Sequence, residues 1–161
     1  MINILNFDVL QIQILGQLAL AMVLGGLIGL DRQLSDRPAG LRTHILVAGA
    51  ATLFVSLGDI LVTHFNSAIH ADILRTDPIR LIEAVITGIS FLGAGTIIRS
   101  NSNGKVHGLT TAASILVVGS IGVCVALYQI VLAVGMTGLV LVILRGLHVV
   151  EARFGLGSPR S

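Results

Sequence analysis

Five stretches of this chain, residues 12–30, 45–62, 79–98, 111–126 and 130–147, are each apolar and close to the length that a bilayer crossing requires. A hydrocarbon core about 30 Å thick takes about 20 helical residues. Lipid offers no water to bond backbone N–H and C=O groups, so a segment at that depth must satisfy its own backbone, as a helix does. The expected fold is therefore all-α: a polytopic membrane bundle of five transmembrane helices. Composition agrees, with 54% hydrophobic and 11% charged residues, against roughly 25% charged in ordinary soluble domains. At 161 residues there is room for a single membrane domain, residues 1–150, and a short tail, 151–161.

Between the fourth stretch and the fifth stand only Leu127 and the polar pair Tyr128-Gln129. Read as one helix, residues 111–147 would rise about 55 Å at 1.5 Å per residue, far more than a bilayer core, so two crossings are expected. No basic segment precedes the first stretch, which argues for a retained helix rather than a cleaved signal.

Lys and Arg are retained in cytoplasmic loops. With five crossings, Arg32, Arg37, Arg42, Arg99, Lys105, Arg145, Arg153 and Arg160 fall on one side and only Arg75 and Arg80 on the other. This split places the N-terminus outside and the C-terminus in the cytoplasm.

Two glycine- and hydroxyl-rich runs, residues 88–96 (GISFLGAGT) and 108–114 (GLTTAAS), lie in or at the mouth of apolar stretches. Small residues let helix backbones approach closely in lipid, and hydroxyls there bond across helices or to carbonyls. Gly93 and Gly95 are expected against another helix, with Thr96, Thr110 and Thr111 as nearby hydroxyls. Ala21, Gly25 and Gly29 form a second small stripe, on the first helix.

The first basic loop ends in Pro38-Ala39-Gly40-Leu41-Arg42-Thr43-His44. Asp31 and Arg42 stand at the membrane interface, where they can pair or hold an ion between helices one and two, with Arg32, Thr43 and His44 alongside. Ionisable groups at membrane depth are costly and so are site candidates. Glu83 is one. It either pairs with Arg80 on its own helix face or joins Asp59 and Thr87 in a polar path towards Ser90 and Thr96.

His64, His70, Asp72 and Asp77 have no recognised metal-site spacing. Asn103-Gly104-Lys105 lacks the rest of a phosphate-binding loop, and no catalytic triad or His-Glu-x-x-His occurs. The lone Cys124 excludes an intramolecular disulfide and a cysteine-built metal cage. No enzyme, cofactor or nucleic-acid partner is expected.

Together, residues 38–44, 88–96 and 108–114, in that order and spacing, closely resemble the MgtC/SapB family of bacterial inner-membrane proteins. The resemblance runs from about residue 12 to 147. It implies an inner-membrane location and a link to growth at low magnesium, to survival inside host cells and to inhibition of the membrane ATP synthase. It also makes Asp31-Arg32 the family's acidic-basic pair, with Asp where Glu is usual. Ser90 stands at a usual glycine and Leu116 at a common tryptophan. Many members continue into a soluble ACT-like domain, whereas this sequence ends about 14 residues after its last apolar stretch.

Two function classes stay open. One is a regulatory protein acting by helix contacts, with membrane lipid, a complex such as ATP synthase, or a second copy as partner. The other is a transporter or channel subunit for Mg2+ or another ion, resting on Asp31, Asp59, Glu83 and the broken-helix character of Gly93-Ala94-Gly95.

Overall fold

The computed structural model describes residues 4–68, 78–99 and 107–154. Five helices follow in order: α1 (Ile4–Leu34), α2 (Leu41–Ala68), α3 (Pro78–Arg99), α4 (Leu109–Ala126) and α5 (Ile130–Phe154). Each apolar stretch is a helix, and most helices overrun the stretch that announces them. Four are long and apolar enough to cross a membrane; α5 carries a shorter apolar stretch, Ile130–Gly146, within its 25 residues. The boundary drawn at residue 150 lies inside α5, which stays helical through Glu151-Ala152-Arg153. The structure of residues 155–161 lies outside the described residues, as do positions 70, 72, 75, 77, 105 and the side chain of His64.

Helices stop here where the backbone reverses. At the end of α1, Arg37 N–H donates to Arg32 O and Asp36 N–H to Gln33 O, both 3.1 Å, with Asp36 at φ 51°. This double bond pattern around a left-handed residue closes a helix C-terminus, and Asp tolerates that conformation better than most side chains. The α4–α5 junction repeats it. Gln129 N–H donates to Cys124 O (2.8 Å) and Tyr128 N–H to Val125 O (3.0 Å), with Tyr128 at φ 58°. Three residues, Leu127, Tyr128 and Gln129, thus suffice to turn the chain, and the region is two helices rather than one.

Helix α4 is the centre of the bundle, packed against all four others. Ile115, Val118, Ile121 and Val125 on it are buried, together with Ala21, Leu24 and Ile28 of α1 and Ala48 of α2. The small stripe of α1 faces α2. A Cβ on Gly25 would stand 2.8 Å from His44 O, and one on Gly29 2.8 Å from the Leu41 Cα. Gly122 brings α4 onto the Ala48 carbonyl of α2 in the same way. Buried polar side chains staple these contacts. Thr52 Oγ1 lies 2.9 Å from both Ala48 O and Gly122 O, and Gln17 Nε2 donates to Val125 O at 3.1 Å. Helix α3 is peripheral: only 11% of its apolar window is buried.

Candidate functional site

The sequence motifs converge at one end of the bundle, where α1 finishes and α2 and α4 begin. Gln33 Oε1, on the last turn of α1, accepts from Leu41 N–H at 3.2 Å. The loop is thereby folded over Gly40, and α2 starts with His44 pointing inward. His44 is fully buried; its Nδ1 is 2.8 Å from Gly40 O and its Nε2 3.1 Å from Ser114 Oγ on α4. A carbonyl can only accept, so Nδ1 carries a proton. Ser114 Oγ also lies 2.8 Å from Thr111 O. The first loop motif and the α4 motif are therefore joined by side chains 70 residues apart.

The glycine-rich run of α3 meets α4 one turn away. Gly93 is buried, and a Cβ there would lie 3.4 Å from the Cβ of Ala112, so it packs on a helix as expected. Gly95 does not. It is exposed, with nothing within 4 Å of an added Cβ, because two residues along a helix turn the side-chain direction by about 200°. Thr96 is half-buried and returns its hydroxyl to Gly93 O at 2.7 Å.

Asp31 is buried, and its Oδ1 accepts from Arg145 Nε of α5 at 3.1 Å. The expected partner, Arg42, is instead exposed, as is Thr43: both sit on the outward side of the first turn of α2, whereas Asp31 faces inward. Among the described residues Asp31–Arg145 is the only ion pair. The sequence carried a signal for it, since Arg145 stands at the basic end of the fifth apolar stretch, on the same side of the bundle as Asp31.

Arg32 is 4% exposed, and neither Nε nor Nη2 has a partner among the described residues. It lines a cavity of about 210 Å³ with Asp36, Arg37, His107, Thr110 and Thr111. At the opposite end a second cavity, about 200 Å³, is lined by Gln17, Ser56, Asp59 and Tyr128. Between them lies the apolar core of Ala21, Leu24, Ile28, Val118 and Ile121.

The polar path proposed through Glu83 is not formed. Glu83, Thr87 and Ser90 are exposed on the outward side of α3, Thr87 Oγ1 donates to Glu83 O at 2.7 Å, and Asp59 borders a cavity that α3 does not reach. Arg80, also exposed, makes no ion pair with Glu83. No group of three or more His, Cys, Asp or Glu suited to a metal occurs among the described residues.

The sequence profile of the MgtC family matches residues 18–153. The chain is 38% identical over 109 residues to the Escherichia coli (strain K12) protein named "Putative magnesium transporter YhiD", covering 68% of this chain and 48% of that protein. It is 44% identical over 107 residues to Protein MgtC of Brucella abortus, covering 66% and 39%. With Protein SapB of Bacillus subtilis it shares 37% over 102 residues, covering 63% and 42%. The chain spans about half the length of the relatives it matches. No solved structure matches it.

Proposed function

The chain belongs to the MgtC family, and from that premise we propose that it is a regulatory protein of the bacterial inner membrane which serves adaptation to low magnesium by binding another membrane complex, the ATP synthase. The observation that carries this reading is the outward side of α3. Glu83, Thr87, Ser90 and Ala94 recur along it at intervals of four, three and four residues, and all are exposed. Polar groups set against lipid are costly, whereas hydroxyls and small residues suit contact with a second helix. The interior supports the same reading, since its buried polar groups at Thr52 and Gln17 are spent on backbone carbonyls.

ATP-driven proton pumping in inverted membrane vesicles tests it. Vesicles containing the wild-type chain should pump less than vesicles without it, and Ser90→Leu, at matched abundance, should restore pumping. Equal pumping with and without the wild-type chain overturns the reading. One observation favours transport instead: a polar cavity stands where α1 ends and α4 begins, and a second, mostly apolar but holding Gln17, Ser56 and Asp59, stands at the opposite end of the bundle. Magnesium flux through the purified chain in liposomes would establish that second reading and displace the first.

A further inference from the structure

The cavity around Arg32 is built to receive negative charge. It is walled by Arg32, a residue 4% exposed, whose Nε and Nη2 are buried and unpaired among the described residues. The neighbouring Asp31 does not answer this: its carboxylate bonds Arg145, and no bond from Arg32 reaches it. A buried guanidinium left without partners costs several kcal/mol in general. That cost is offset when an anion supplies the acceptors. A metal cation is excluded by the same group.

The remaining walls supply what an oxyanion needs. Helix α4 begins at the cavity with Gly108 in the left-handed conformation (φ 90°) and no side chain capping it. The first helical bond is Ala112 N–H to Gly108 O at 2.8 Å. The amides of Leu109, Thr110 and Thr111 therefore precede the hydrogen-bonded ladder, at the positive end of an 18-residue helix dipole. Thr110 and Thr111 line the cavity, with Arg37 and His107 at its edge. Among the described residues Asp36 is the one acidic group on the wall, and it is outnumbered by Arg32 and Arg37.

We propose that Arg32, Arg37 and the first turn of α4 form a binding site for a phosphate-type oxyanion. At about 210 Å³, the cavity is smaller than the roughly 300 Å³ at which pockets for drug-sized ligands begin. It suits a phosphate group rather than a nucleotide. The group can be free phosphate or the phosphate of a lipid head, since Arg32 ends a membrane-spanning helix.

Two probes on the purified full chain in detergent separate these sources: titration with inorganic phosphate, and retention of phosphatidylglycerol over phosphatidylcholine after washing. Saturable binding of the first supports the free ion; selective retention of the second alone supports the lipid head. In either case Arg37→Gln, at an exposed position, should weaken binding about tenfold, the worth of one charge-assisted contact, and Arg32→Gln should abolish it. The site is overturned if neither probe binds, if Arg37→Gln leaves binding unchanged, or if a folded Arg32→Gln chain still binds.

Discussion

Replacing Gly122 by Ala adds one methyl group at the tightest contact between α2 and α4, and its cost follows from what the methyl meets. The new Cβ would fall on the Ala48 carbonyl oxygen, with Ala51 Cβ at 3.0 Å and the Ala48 carbonyl carbon at 3.2 Å. The Ala48 group is backbone, so no rotamer change relieves the clash and the helices must separate. Overpacking of this kind costs about 1–3 kcal/mol. The same movement stretches the 2.9 Å contact between Thr52 Oγ1 and Gly122 O, and such an interhelical bond averages about 0.6 kcal/mol in a membrane protein. Against this, Ala exceeds Gly in helix propensity by up to about 1 kcal/mol. The balance is a net loss of about 0.6–2.6 kcal/mol. Gly135→Ala on α5 is the control, because a Cβ there meets nothing within 4 Å, and it should be neutral or stabilising by up to about 1 kcal/mol. Unfolding of both variants by titration with a denaturing detergent, monitored by circular dichroism, gives the two values. Gly122→Ala as stable as Gly135→Ala would refute the backbone-contact argument.

Gly93→Leu should lower the yield of folded protein, while Gly95→Leu should leave it at the wild-type level; size-exclusion chromatography in mild detergent reads both, and equal loss would place Gly95 against a helix after all. Tyr128→Gly should stabilise the chain by up to about 1–2 kcal/mol, since glycine takes the left-handed conformation without the cost carried by a side chain; a lower unfolding midpoint would contradict this. A double-mutant cycle of Asp31→Asn and Arg145→Gln should give a coupling at or below about 1 kcal/mol, because Arg145 is 70% exposed and the pair is solvent-screened; growth at low magnesium, measured at matched abundance, should nevertheless fall with Asp31→Asn and hold with Asp31→Glu. A reporter fused after Arg153 should be read in the cytoplasm and one near His70 outside, and finding both on one side would remove the five-crossing topology.

The number of helices, their order and the basic end of the bundle are legible from the sequence because each depends on a one-dimensional signal. Apolar run length is fixed by bilayer thickness, and loop charge by which side retains Lys and Arg. The small stripe of Ala21, Gly25 and Gly29 was readable for a similar reason: a period of four places it on one helix face. Hydropathy says nothing of which apolar face meets lipid and which meets protein, since lipid tails are as apolar as leucine. Only the tertiary structure therefore separates the central α4 from the peripheral α3, and buried Gly93 from exposed Gly95. It also decides the polar partners. Arg42 was the nearer cation to Asp31 in sequence, but the buried carboxylate takes Arg145, 114 residues away, and Arg32 beside it is left facing a cavity. A loop charge and a buried charge read identically in one dimension; the packing of α1 against α2, α4 and α5 tells them apart.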